Sequence, residues 1–179
     1  MKHGKVIWIT GLSGAGKSTL AKGLSNKLKL FGENVISLDG DELRNILPKT
    51  KNRTEQFSVN NRLQLAMTYS RLCKALADQG FTLIISTISM FNEVYLWNSR
   101  NLPNYFLIYL DVPLHEREKR DSKDIYKNFR QGKIANVTGL DQSFDEPINA
   151  DWRPAYNPNR TTDLLVEDLI TILLERNYL

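Results

Sequence analysis

An α/β fold with a mainly parallel sheet, built as a three-layer sandwich, is predicted by three features of the chain. Four short runs rich in Val, Ile, Leu and aromatic residues lack strict polar alternation, as strands buried on both faces do. Segments with apolar residues at helical spacing lie between them. A glycine-rich loop joins the first run to the first of those segments.

Val6-Ile7-Trp8-Ile9, between Lys5 and Gly11, reads as the first strand. A helix over 18–30 follows, with Leu20, Ala21, Leu24 and Leu28 on one face. Gly32 breaks the chain before a second strand, Val35-Ile36-Ser37-Leu38. A helix over 64–78 carries Leu65, Leu72, Ala75 and Leu76, and Gly80 ends it. Strands over 81–85 and 105–110 come next, and Thr162 is the expected cap of a last helix reaching about residue 176. The stretch 122–159 is polar, with Gly, Pro and Asn, and has the length of a functional lid.

At 179 residues the chain suits one domain over 1–179, with a mobile lid at about 122–147. Hydrophobic residues at 41% and charged residues at 25% exclude a disordered or low-complexity chain. The single cysteine, Cys73, excludes an intrachain disulfide and a Cys-cluster metal site; it is read as buried and apolar. No run approaches the ~18 apolar residues of a membrane span. The short apolar run after Met1 is interrupted too early for a secretory signal, so a cytoplasmic location is expected. A net charge of +4 suits a small anionic substrate as well as a nucleic acid and decides nothing alone. The basic run of the chain lacks an interleaved aromatic platform, so neither a nucleic acid nor a membrane is expected as partner.

Gly11-Leu12-Ser13-Gly14-Ala15-Gly16-Lys17-Ser18 fits G-x-x-x-x-G-K-[ST] between a strand and a helix. Glycines let backbone amides close on a phosphate chain, and the helix N-terminus adds positive charge. Lys17 can bridge β- and γ-phosphates, and the Ser18 hydroxyl can bind Mg²⁺. The motif implies a nucleoside triphosphate with Mg²⁺. The second strand runs into Leu38-Asp39-Gly40-Asp41-Glu42-Leu43-Arg44. Carboxylates Asp39 and Asp41 at a strand end, beside that loop, can organise Mg²⁺ and an acceptor hydroxyl. Arg44 suits an acidic acceptor. His3 and His115 are isolated, and Trp97 and Trp152 are read as packing residues. Lys119, Arg120, Lys123, Lys127 and Arg130 form a basic run, read either as a phosphate clamp or as a solvated face.

GLSGAGKST at 11–19, ending in Thr19, and LDGDELR at 38–44 together resemble the adenylylsulfate (APS) kinase family, a family of P-loop kinases. RDSKDIYK at 120–127, GKIANVTG at 132–139, Asp141 and Asp145-Glu146-Pro147 extend the resemblance over nearly the whole chain. The resemblance implies γ-phosphate transfer from ATP to the ribose 3′-hydroxyl of adenosine 5′-phosphosulfate, in a homodimer. It implies ATP contacts from the loop and Arg120. It implies acceptor contacts from Asp41, Arg44, Phe57, Arg62, Ser89, Lys123, Asn136, Val137 and Thr138. Ser89 is carried over as a possible phosphoserine, although in-line transfer needs no such intermediate.

The departures fall on the acceptor side. Where the family usually reads Glu-Asn-Ile-Arg-Arg, this chain has Gln64-Leu65-Ala66-Met67-Thr68. Asn92 replaces an arginine, and Ala135 and Val137 replace the lid's lysine and phenylalanine. A changed pocket beside an intact reaction core predicts a changed acceptor. Relatives that phosphorylate cytidine diphosphoramidate in capsule synthesis offer one, with a smaller base; APS itself is the other. Two further classes are a non-catalytic nucleotide-binding regulator and a kinase for a small molecule such as a sugar acid. Asp39 and Asp41 speak against the first, and the Asp-Gly-Asp-x-x-Arg run with its lid against the second.

Overall fold

The computed structural model describes residues 4–47 and 58–179. Strands β1 (Lys5–Thr10), β2 (Val35–Asp39), β3 (Thr82–Ser86) and β4 (Tyr105–Tyr109) form one parallel sheet in the order β2-β3-β1-β4. Helices α1 (Lys17–Leu30), α2 (Gly40–Ile46), α3 (Val59–Ala77), α4 (Asn92–Asn101), α5 (Leu114–Arg120), α6 (Ile125–Arg130) and α7 (Thr162–Glu175) accompany it.

Successive strand residues point to opposite faces, and both faces are covered. Ile7 and Ile9 of β1 pack with Leu20, Leu24 and Leu28 of α1 and Val166, Leu169 and Leu173 of α7. Val6 and Trp8 pack with Tyr69, Cys73 and Ala77 of α3 and Val94 of α4. This two-sided burial is why β1 shows no polar alternation: all six of its residues are buried. Cys73 is fully buried, and burial pushes its thiol up to about 12, as its apolar role requires. Trp97 packs on the α3–α4 side and Trp152 on the α1–α7 side.

The order of the strands creates the site. From β1 the chain turns to α1 on one face; from the neighbouring β3 it turns to α4 on the other. Connections that diverge from adjacent parallel strands open a crevice at their C-terminal ends. Register brings Asp39, Ser86 and Ile9 level at that edge. The β4 edge is closed by a later segment: Leu107 N donates to Asp151 Oδ2 at 2.8 Å, and Tyr109 N to Trp152 O at 3.0 Å.

Helix starts depart from the sequence reading. α3 begins at Val59, where Ser58 Oγ accepts from Asn61 N at 3.3 Å; the polar Asn60, Asn61 and Arg62 hide its first turn. The last helix is capped by Thr161, not Thr162, through the Leu164 amide. The polar stretch 122–159 is not wholly irregular, because α6 lies inside it.

Gly23 of α1 faces α7 so closely that a Cβ there would lie 2.8 Å from Val166 Cγ2. Gly23→Ala should therefore destabilise the fold by about 1–3 kcal/mol, against the ~1 kcal/mol helix-propensity gain. In denaturant titrations, Val166→Ala should relieve part of that loss. Additive effects of the two substitutions would show that the helices do not meet there.

Candidate active site

Between β1 and α1 the chain needs left-handed backbone at Gly14 (φ 76°) and Gly16 (φ 93°), which glycine supplies without strain. At Gly14 a side chain would also strike Arg117 O, 2.8 Å from an ideal Cβ. Gly11, Ser13 and Ala15 complete the loop, and Ser18 and Thr19 stand exposed on the first turn of α1. Lys17 Nζ folds back to donate to Leu12 O at 2.9 Å. Burial lowers its pKa to about 8; Asp41 and Asp39 oppose the shift, while Lys123 and Arg117 add to it. The ammonium is thus held among charges, with a backbone carbonyl where an anionic oxygen would bind better.

Asp39 closes β2 and caps α2. Its Oδ2 accepts from Ser18 Oγ at 2.6 Å and Ser86 Oγ at 2.9 Å, and its Oδ1 from Asp41 N at 2.9 Å. Partial burial works against ionisation, but these three donors outweigh it and hold the carboxyl below its usual range. No group of three or more His, Cys, Asp or Glu able to hold a metal occurs among the described residues. A Ser hydroxyl with one carboxylate, completed by phosphate oxygens and water, suits Mg²⁺ rather than an all-protein cage. Asp41, in the first turn of α2, is exposed and ion-paired with Lys123.

Behind Asp41 lies a cleft lined by Arg44, Arg62, Leu65, Tyr69, Ser89 and Phe91, among others. Tyr69 donates to Gly40 O at 2.9 Å and so fixes the start of α2. Arg62 is lowered to about 10 by burial and by the neighbouring Arg44, with Asp141 opposing. Two guanidinium groups converging in one cleft favour an anion between them. Ser89, at φ 27°, follows β3, and its Oγ shares a 2.8 Å hydrogen bond with Thr87 Oγ1. Phe57 lies outside the described residues.

The lid tip folds around Asp141, whose carboxylate accepts from Asn136 N at 2.7 Å and from Val137 N. Asn136 adopts φ 65° and accepts from Gln142 Nε2. Thr138 meets Arg62 through its hydroxyl and lines the cleft. Val137 is buried and is not among the residues lining the cleft. Its amide is tied to Asp141.

The basic run divides. Lys119, Lys127 and Arg130 are exposed and pair with Glu116, Asp124 and Glu118, as a solvated face does. Arg120 Nη1 reaches towards Gly14 O at 3.4 Å and lies over the Tyr156 ring, while Lys123 joins Asp41. Sequence reasoning assigned no role to the buried Arg117, nor to Tyr126, whose hydroxyl donates to Ser13 O at 2.8 Å. Tyr126 left a signal as a member of the 120–127 run that carries the family resemblance.

A family model described as adenylylsulphate kinase matches residues 3–153. Cytidine diphosphoramidate kinase of Campylobacter jejuni is 43% identical over 142 residues, covering 79% of this chain and 81% of the relative. Adenylyl-sulfate kinase of Pseudomonas aeruginosa is 35% identical over 165 residues, covering 91% of this chain and 78% of the relative. The solved APS kinase of Mycobacterium tuberculosis, in complex with AMPPNP and APS, superposes with a TM-score of 0.84 at 31% identity. That match covers 97% of this chain and 99% of the other. With its phosphate loop, carboxylate pair and parallel sheet, the chain belongs to the adenylylsulfate kinase family and is a kinase that uses ATP with Mg²⁺.

Proposed function

We propose that this kinase phosphorylates the ribose 3′-hydroxyl of a nucleotide-linked acid, with cytidine diphosphoramidate as its preferred acceptor. The observation that carries the reading is the lid tip. Val137 is buried, Thr138 lines the cleft, and neither side chain is aromatic, so this tip offers the acceptor no ring. The apolar wall is Leu65, Ile88 and Met90, with a ring from Phe91. A small pyrimidine needs less stacking area than adenine. Arg44 and Arg62 supply the charge that a diphosphate-linked acid requires. The 43% identity to the Campylobacter jejuni kinase supports the same choice.

In this reading Lys17 and the amides of the phosphate loop hold the ATP phosphates, and Arg120 closes on them. Ser18 and Asp39 would hold Mg²⁺, which would supply charge neutralisation at the phosphates. Asp39, fixed by three donors, is the organising carboxylate. Asp41, exposed and joined to a lid lysine, takes the proton of the acceptor hydroxyl as its oxygen attacks the γ-phosphorus and ADP leaves. Lys123 then steadies the transferred group. Ser89 lines the cleft and needs no phosphorylation, since in-line transfer goes directly to the acceptor. The segment 122–147 acts as the lid, and the homodimer implied by the resemblance is checked by molar mass in solution.

The deciding measurement is kcat/KM for cytidine diphosphoramidate and for APS on the same enzyme. Loss of one stacking face costs roughly 1–3 kcal/mol, or about 5- to 150-fold, so APS should be the poorer substrate by at least fivefold. Equal values, or an advantage for APS, would return the chain to sulfate activation.

Lys17 gives a pH test. Its free pKa is about 8, and phosphates can only raise it. The ammonium's contribution to ATP binding is therefore complete below pH 8. Affinity should fall by up to about tenfold per unit above pH 8, until the bound-state pKa is reached. Lys17→Met should bind ATP weakly with no such slope and lose at least ~10³ in turnover, about 4 kcal/mol. A wild-type affinity that stays flat from neutral pH to well above 8 would contradict this role.

A further inference from the structure

Behind the phosphate loop sits a buried cation with neutral partners. Arg117 of α5 is 6% exposed. Its Nε donates to Val112 O at 2.9 Å, and its Nη1 donates to the Tyr126 hydroxyl. The guanidinium also lies over the Tyr126 ring, 5.6 Å from its centre. Tyr126, on α6, is 2% exposed, and its own proton goes to Ser13 O at 2.8 Å. A directed chain of donors thus runs from α5 through the lid helix to the loop. Burying a guanidinium without a carboxylate is costly.

The geometry of the loop shows what the chain of donors fixes. The Ser13–Gly14 peptide is trans and planar, so its N–H points opposite to its C=O. Holding Ser13 O on Tyr126 therefore sets the direction of the Gly14 amide. On its other side Gly14 abuts the Arg117 backbone, with no room for a Cβ. The loop is clamped between a backbone wall and a hydroxyl, both belonging to the α5–α6 unit.

We propose that Tyr126, oriented by Arg117, is a positioning residue that aims the Gly14 amide at the nucleotide phosphates, so that the phosphate loop is complete only while lid helix α6 is seated. ATP affinity and the placement of α6 are then linked through one hydroxyl. The acceptor cleft, whose lining includes neither Arg117 nor Tyr126, is not part of this link. The inference needs only the phosphate loop and stands whichever acceptor is used.

Tyr126→Phe removes one oxygen and keeps the ring. Arg117→Lys keeps the charge but lacks the fork that reaches both Val112 O and Tyr126. Calorimetric Kd for ADP and ATP would be read beside the KM of the better of the two acceptors above. Both variants should weaken ADP and ATP by more than threefold while the acceptor KM changes by less than threefold. Hydrogen exchange should show that saturating ADP protects α6 in the wild type and less so in Tyr126→Phe. The proposal is overturned if Tyr126→Phe binds ADP within threefold of wild type. It is equally overturned if ADP affinity and acceptor KM worsen together, as general loosening would produce. Should Arg117→Lys fail to fold, the Tyr126→Phe values decide.

Discussion

One carboxylate joins the parts of this site. Asp39 accepts hydrogen bonds from the first turn of α1, from the end of β3 and from the first turn of α2. These segments are far apart in sequence and meet only because β2 and β3 are paired in register at Asp39 and Ser86. Each donor stabilises the ionised form, so the charge is kept despite partial burial. The same bonds fix where Asp41 and Arg44 stand, because Asp39 caps the helix that carries them. Loss of this carboxylate would therefore disturb phosphate loop, metal and acceptor geometry at once.

Around that anchor the protein concentrates cations at a cost. Lys17 is lowered by burial, and Arg62 by burial together with Arg44. Such like-charge clusters destabilise a fold unless anions offset them. Here internal groups offset part of the charge: Leu12 O accepts a hydrogen bond from Lys17, and Asp41 pairs with Lys123. Both are contacts that phosphates and an acceptor can replace with stronger, charge-assisted ones. Binding thus exchanges bonds rather than creating them, which favours specificity for highly charged ligands over tight binding of neutral ones.

The sheet was legible because its strands are nearly pure runs of β-branched and aromatic residues, and their limits fall within a residue or so of the pattern. The glycine loop and both carboxylates were legible because their chemistry needs fixed spacing. Helices α2 and α5, seven residues each, and α6, of six, are too short to show periodicity. Helix α4 buries only Val94 and Asn98 and so shows no stripe. Arg117 was hidden for a different reason. A basic run looks alike in sequence whether a member is solvated or buried, and only the packing of α5 against Gly14 separates Arg117 from Lys119. The resemblance placed Val137 on the acceptor; the amides of Asn136 and Val137, bonded to Asp141, set the turn that carries it, and spacing does not reveal that turn.

The segment 122–147 therefore touches the phosphate loop at one end and lines the Arg44–Arg62 cleft at the other. Its first helix reaches the loop through Tyr126, and its tip reaches Arg62 through Thr138. Beyond the tip, Asp145 Oδ2 accepts from Asn92 N at 2.9 Å and its amide donates to Met90 O, clasping the strand-end side of the same cleft. A segment fastened at three such points moves as a unit only if those bonds break together or in sequence. The three fastenings are separate contacts, so the cleft end can be altered while the loop, the carboxylates and the first lid helix stay as they are.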